Sequence, residues 1–207
     1  MGKKHIYANR EVARSKQKAY EKLLYKITDK AIVDSEIIWD LECAKEDLDF
    51  DINWGDLRYD RTALIFAVSG SGRKKLVEYL LSDPNVDVNH KSEGDSTALY
   101  FCAQVPILKL LLSHKDIDVN PSNRTDTILH EICYSNRIGM ARELLLDARI
   151  NTSVCDIYGY TAMKNAIRRR HHGIVNMLKR TGRTSLLRIP NASLCRDITR
   201  MIIEEYM

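Results

Sequence analysis

Apolar residues along this chain recur in short runs with helical spacing. Leu129, Ile132 and Cys133 lie on one helical face, and Asn136 interrupts the run before a second apolar face begins. The second face consists of Ile138, Ala141, Leu144 and Leu145. Helices of this length are unstable alone in water. The pattern therefore predicts short antiparallel helices that become stable by packing in pairs.

Two short motifs mark a repeat of this arrangement. A threonine begins each unit, and an apolar residue followed by an asparagine precedes it; both marks return every 30 to 36 residues. The threonines are Thr62, Thr97, Thr127 and Thr161, and the asparagines are Asn53, Asn89, Asn120 and Asn151. Such a period is typical of stacked repeats, in which each unit buries its apolar face only against its neighbours. Function is expected on the surface of the stack.

Both marks have a predicted physical role. A threonine at a helix start accepts a hydrogen bond from an exposed backbone amide, so each threonine is expected to begin a helix. The Asp and Asn side chains of the linking segments are expected to bond nearby backbone and so to stabilise turns.

The motifs resemble the ankyrin repeat over roughly residues 52–180. The resemblance rests on the Thr-Ala-Leu opening, the small residue three positions later, the Leu-Val or Ile-Val pair in the second helix and the closing Asp-Val-Asn. The fourth copy also has Asp156, Gly159 and His171 at the family's turn and inter-helix positions. The resemblance implies an all-α solenoid of helix-turn-helix units that binds proteins and is not an enzyme.

Some copies depart from the pattern. The second lacks about three residues between its helices, so Pro106 is expected to open a shortened second helix beside a local dent in the stack. The turn glycine is replaced by Asp60, Asp95 and Thr125. The repeat pattern therefore does not predict the exact loop geometry of these three copies.

Four segments are predicted. Residues 1–27 form a basic N-terminal helix, 28–54 a degenerate capping repeat, 55–182 the ankyrin repeats and 183–207 a C-terminal helical cap. The apolar face of the first segment is expected to dock on the first repeat. We expect the chain to be elongated and monomeric.

Composition favours a reducing compartment. The five cysteines are scattered and odd in number, and the chain has neither a signal-peptide pattern nor a long apolar run. Cytoplasm or nucleus is therefore the predicted location. Many Lys, Ile and Tyr with only four Pro are typical of an AT-rich genome, such as that of a virus or an intracellular bacterium whose repeat proteins act on a host.

The residues do not assemble a site for chemistry. His130 and Cys133 are spaced for one helical face, but a structural role is expected for this histidine, as in the ankyrin pattern. The segment from Gly70 to Lys75 resembles a phosphate loop only superficially, since no Gly-Lys-Ser/Thr follows and no strand precedes it. We predict no catalytic residue, cofactor or metal.

The ankyrin resemblance implies that a partner contacts the loop tips and the exposed ends of the first helices. The corresponding positions are Arg58, Tyr59, Arg61, Glu93, Ser96, Asn123, Arg124, Asp126, Tyr134, Ser135, Ile157, Tyr158, Tyr160, Arg168 and Arg169. Tyrosine and arginine are the residue types that dominate interface energetics. An alternative interpretation is that Tyr158 packs into the next repeat.

Charge is unevenly distributed. The net charge is +6 over residues 1–30, −7 over 34–63 and +9 over 137–200. The adjacent Arg168, Arg169 and Arg170 favour an acidic or phosphorylated protein partner.

Two other functions remain open. The C-terminal segment, with Leu186, Leu187 and Leu194, faintly resembles the ligase-recruiting boxes that follow ankyrin repeats in some proteins, which suggests a ubiquitin-ligase substrate adaptor. The basic N-terminal helix, with Lys18, Lys22 and Lys26 on one face, could instead engage nucleic acid or an anionic membrane. We favour protein binding by the repeats over both of these functions.

Overall fold

The fold consists of short paired helices. The computed structural model describes residues 16, 18–69, 72–123 and 125–186, the last five as backbone only. Helix α1 covers residues 18–26. The remaining helices are α2 (Asp34–Lys45), α3 (Ala63–Val68), α4 (Lys74–Ser82), α5 (Ala98–Phe101), α6 (Val105–Ser113), α7 (Ile128–Tyr134), α8 (Ile138–Leu146), α9 (Ala162–Arg168) and α10 (His172–Leu186). About half of the chain is helical and the described residues contain no strand, which confirms the predicted all-α class.

The chain divides into two compact units, residues 1–128 and 129–207. Each has a core of apolar side chains contributed by its helices. In the first unit the fully buried residues include Leu24, Ile37, Leu76, Leu80, Leu99 and Leu108, and in the second they include Ile132, Cys133, Leu144 and Ile174. The buried positions follow the helical spacing of the sequence.

Each repeat's first helix begins directly after its threonine, as predicted. The side chain of Thr62 accepts a hydrogen bond from the Ile65 amide at 3.4 Å, and that of Thr161 accepts one from Lys164 at 3.3 Å. Thr97 occupies the same position, but its buried hydroxyl makes no capping bond. The threonine therefore marks the start of each repeat's first helix, although it does not cap all of these helices.

The asparagines have a role that the sequence analysis missed. Asn53 donates from Nδ2 to the Asn85 carbonyl at 2.8 Å and accepts from the Asp87 amide at 2.7 Å. Asn89 makes the same pair of bonds, at 2.7 and 2.8 Å, to the loop of the following repeat. The expectation of bonds to nearby backbone is therefore wrong for these two side chains. They join neighbouring repeats and fix the register between successive loops.

The second repeat is shortened in its first helix. Helix α6 has nine residues, as many as α4 and α8, whereas α5 has only four. Pro106 lies in the first turn of α6 as predicted, but the predicted shortening of that helix is wrong. Gly72 of the preceding repeat has a φ of 62°, and a Cβ there would lie 3.1 Å from Ile107. Both the backbone conformation and the close contact with Ile107 therefore favour glycine at this turn.

Two of the substituted loop tips keep the glycine-like conformation. Asp60 and Asp95 have φ values of 52° and 59°, close to the 74° of Gly159. Aspartate tolerates this left-handed region better than most residues, because its short polar side chain can bond locally. The loop geometry that the pattern left open is therefore the glycine-like one at these two positions.

Helix α1 packs its apolar face into the first unit. Tyr20, Leu24 and Ile27 are buried, and the Tyr25 ring meets the Phe66 ring of α3 edge to face, with centroids 6.0 Å apart. This burial accounts for the apolar stripe on an otherwise basic helix.

The basic and acidic blocks of the first unit pair with each other. Lys16 lies 2.9 Å from carboxylate oxygens of Asp47 and Asp49, and Lys26 lies 2.7 Å from Asp40. Part of the positive charge near the N-terminus is therefore neutralised within the unit.

A polar network joins α2 to α4 around Lys45. Its ammonium donates to the Tyr79 hydroxyl and lies beside Asp83, at 2.7 Å in each case, and the Tyr79 hydroxyl donates to Glu42. The Lys45 hydrogen bond holds the pKa of Asp83 below its ordinary value, and the Tyr79 hydrogen bond does the same for Glu42. Both carboxylates are therefore stabilised in their charged form.

This network predicts a loss of stability in acid. A carboxylate with a lowered folded pKa contributes fully above its unfolded pKa, and the contribution is lost as the pH falls through the lower folded value. The Asp83→Asn variant should lower the free energy of unfolding by about 1 kcal/mol at neutral pH. It should also lose less stability than wild type between about pH 6 and pH 3. Urea unfolding followed by circular dichroism measures both effects, and identical pH profiles would contradict the assignment.

Candidate protein-binding surface

The last residue of α7 and the residue after α9 form a stacked pair. The guanidinium carbon of Arg169 lies 3.4 Å from the centroid of the Tyr134 ring. Tyr134 is 51% exposed and Arg169 is exposed as well. Helix α7 ends at Tyr134, and Arg169 directly follows α9. The exposed pair therefore lies at the C-terminal ends of the first helices of two neighbouring repeats.

Tyr160 carries a second set of cations. The Lys164 ammonium and the Arg168 guanidinium carbon lie 4.8 and 4.7 Å from its ring centroid. The three residues are spaced by four, so the two cations follow the tyrosine along one face of α9. Lys164 was missed in the sequence analysis, although this spacing was the available signal.

Two histidines fix the backbone beneath these tyrosines. The buried His130 ring lies with Nε2 3.0 Å from the Tyr160 carbonyl, and His171 places Nδ1 2.8 Å from the carbonyl of Cys133, next to Tyr134. These contacts give both histidines a structural role, as predicted for His130. They hold the two aromatic rings on rigid elements.

The loop before α9 is also anchored. The Tyr158 and Tyr160 amides each donate to the Asp156 carboxylate at 2.9 Å. Burial alone raises the pKa of Asp156, but these amides and the Asn165 side chain lower it below the ordinary value. Beyond this anchor, Ile157 and Tyr158 are 59% and 74% exposed. Tyr158 is therefore accessible to solvent, whereas most of the segment on which the alternative interpretation would pack it, residues 187–207, lies outside the described residues.

The cations of this surface have no acidic partner among the described residues. Glu131 lies beside Arg137, and Asp147 lies beside Arg149. In the described ranges, no carboxylate lies within ion-pair distance of Arg168 or Arg169. The positive charge here is therefore available to a ligand.

A loop tip of the first unit has a similar composition. The Tyr59 ring has the guanidinium carbons of Arg58 and Arg61 at 5.0 and 4.7 Å, and Arg61 also lies 4.7 Å from the Phe66 ring. Unlike Arg168, Arg61 has a buried carboxylate nearby, with its Nε 3.5 Å from Asp56. This tip is exposed but partly neutralised.

Comparison with known families identifies the repeats. A family model described as ankyrin repeats, in three copies, matches residues 35–123 and 99–185, which together cover most of the chain. The chain is an ankyrin-repeat protein. Ankyrin repeats generally mediate protein–protein interactions, and the family is generally non-enzymatic. No curated protein matches the sequence.

Not every position implied by the resemblance is available in this ankyrin-repeat protein. Ser96 is buried, and Asn123 is occupied by bonds to the Thr125 and Asp126 amides. Asp126 accepts a bond from the Tyr100 hydroxyl at 3.1 Å. Arg124 lies outside the described residues. Glu93 and Ser135 are exposed, the latter with its hydroxyl bonded to the Glu131 carbonyl.

The described residues of this ankyrin-repeat protein offer neither an ionised Cys133 thiol nor a cluster of metal ligands. Burial raises the pKa of Cys133 to about 12, so its thiol stays protonated at neutral pH. Within residues 18–69, 72–123 and 125–181, no three His, Cys, Asp or Glu side chains are placed to hold a metal ion. The helices in these ranges are all too short or too polar to span a membrane.

Proposed function

We propose that this ankyrin-repeat protein is a non-enzymatic binding module whose second unit presents the main contact surface. We call this surface the tyrosine–arginine surface. It consists of Tyr134, Tyr158, Tyr160, Lys164, Arg168 and Arg169. The observation that carries the proposal is that its arginines are exposed, stacked on tyrosine rings and not paired with a described carboxylate.

An acidic or phosphorylated protein segment fits this surface best. Crowded cations repel one another and add nothing to the core, and an anionic partner relieves that repulsion through charge-assisted hydrogen bonds. The exposed Ile157 and Tyr158 beside them supply apolar contact area. The partner therefore gains both burial and charge pairing from one surface.

The two alternatives draw less support. Lys26 of α1 and Lys16, which precedes α1, are paired with aspartates of the same unit, and this pairing reduces the positive charge that this region could offer to nucleic acid or membrane. The ligase-adaptor hypothesis depends on residues 184–207, of which 187–207 lie outside the described residues.

Charge reversal tests the proposal. The double variant Arg168→Glu and Arg169→Glu should weaken binding of a partner captured from native lysate by about 1 to 3 kcal/mol, because it removes attractive charge pairs and adds repulsive ones. It should also flatten the salt dependence of binding, since fewer ions are displaced from the interface. Titration calorimetry at two salt concentrations measures both.

Arg142→Glu is the matched control, since Arg142 is an exposed arginine of the same unit on α8. It should change affinity little, and all three proteins should melt at nearly the same temperature because the altered side chains are exposed. Equal affinity of the double variant and wild type would exclude these arginines from the interface.

A further inference from the structure

The two exposed arginines of the tyrosine–arginine surface are held in place before any partner arrives. Arg169 stacks on Tyr134 and Arg168 on Tyr160, and each ring belongs to backbone that a histidine fixes. A free arginine side chain loses considerable rotamer freedom on binding, at a cost of about 0.5 to 1.5 kcal/mol for each immobilised side chain. Stacking lowers that cost in advance.

The guanidinium carbon of Arg169 is 3.4 Å from the Tyr134 ring centroid, a distance at which the guanidinium lies flat on the ring and leaves its hydrogen-bonding edge open. The attraction to a ring acts through the flat face of the guanidinium, whereas its N–H donors lie in the plane. A carboxylate or phosphate can then bind edge-on through two parallel hydrogen bonds. Lysine offers no such fork, so the residue type matters as well as the charge.

The two arginines use different tyrosines. Tyr134 is the last residue of α7, and Tyr160 precedes α9. Each arginine is therefore presented on a separate platform, and each can bind its own anionic group. A partner with two anionic groups can therefore bind both arginines, one group to each, without bringing the two groups together.

We propose that Tyr134 and Tyr160 are positioning residues that present Arg169 and Arg168 as two preorganised guanidinium forks. The corresponding partner segment carries two oxyanionic side chains, carboxylate or phosphate, one for each fork. This inference rests on the proposed function and adds the chemistry of the partner and a role for the tyrosines.

Peptide binding to the full chain tests the inference. The probes are dye-labelled Gly-Ser peptides with two glutamates or two phosphoserines, separated by about two to six neutral residues, a Cα span of roughly 10 to 25 Å when extended. Peptides with a single charged residue are the reference. At least one doubly charged peptide should bind wild type more tightly than the singly charged peptides, as measured by fluorescence anisotropy.

Substitution of Tyr134 tests whether its ring positions Arg169 or only fills space. Tyr134→Leu should weaken binding of the doubly charged peptide about three- to tenfold, whereas Tyr134→Phe, which keeps the ring face, should stay within about twofold of wild type. Arg169→Lys should weaken binding about as much as Tyr134→Leu, because it retains the charge and loses the fork. Arg142→Lys is the control and should have no effect.

The outcomes separate this inference from the proposed function. Tight binding to wild type that is unchanged in both Tyr134→Leu and Arg169→Lys overturns the inference alone. Failure of wild type to bind any peptide overturns the inference together with the anionic partner class. If the inference holds, the preferred peptide identifies carboxylate or phosphate as the source of the oxyanion.

Discussion

Leu129→Ala should lower the free energy of unfolding by about 2 to 5 kcal/mol, the range observed when a buried leucine is cut back to leave a cavity. Leu129 occupies the apolar position two residues after the threonine of its repeat and is only 2% exposed. The corresponding Leu64 and Leu99 are buried to the same extent. A loss of this size is a large fraction of the stability of a typical domain, which is about 5 to 15 kcal/mol.

Leu146→Ala provides the matched control. Leu146 ends α8 in the same unit and is 74% exposed, so its truncation should change stability by no more than about 0.5 kcal/mol. Chemical denaturation of both variants under one set of conditions gives the comparison. A similar small effect at Leu129 would mean that the repeat register is wrong.

Arg73→Ala should destabilise the first unit by about 3 kcal/mol, since hydrogen bonds to charged groups contribute roughly 1.5 to 3 kcal/mol. The Arg73 guanidinium donates to the Ile27 carbonyl at 2.6 Å, to the Ile32 carbonyl at 2.7 Å and to Asp34 at 2.8 Å. It also donates to the Asp29 carbonyl. One side chain at the start of α4 thus fastens the whole turn between α1 and α2.

Arg73→Lys should recover little of this stability, because a single ammonium cannot reach several carbonyls in the geometry of the guanidinium fork. Exposed Lys75 on α4 is the control site, and Lys75→Ala should be nearly neutral. Thermal melts compare the three variants. A melting temperature of Arg73→Ala equal to that of wild type would show that the turn is held by other contacts.

Local features were predictable from sequence. Helix starts follow the threonines because the first turn of a helix depends on residues a few positions apart, and apolar spacing identified Leu129 and Ile132 as core for the same reason. The ankyrin resemblance then predicted that each repeat is a helix-turn-helix, and it supplied the list of loop-tip residues. Counting from the threonine of each repeat correctly predicted that Tyr134 and Arg169 are exposed.

Contacts between repeats were not predictable in the same way. The bonds of Asn53 to residues 32 and 34 positions away depend on how one repeat stacks on the next, which no local pattern encodes. Tyr134 and Arg169 are 35 residues apart, so their stacking was equally hidden. Ser96 failed as a contact because an offset from a motif gives a position in the loop and not the direction of the side chain.

The most direct test of the central claim is a hydrogen-exchange map of the chain with and without its captured partner. The account predicts slowed amide exchange in residues 134–135, 157–160 and 164–169, with little change in α2 (Asp34–Lys45). Binding slows exchange where it covers backbone or suppresses local opening. Protection confined to α1 and α2, with none in the second unit, would contradict the placement of binding on the tyrosine–arginine surface.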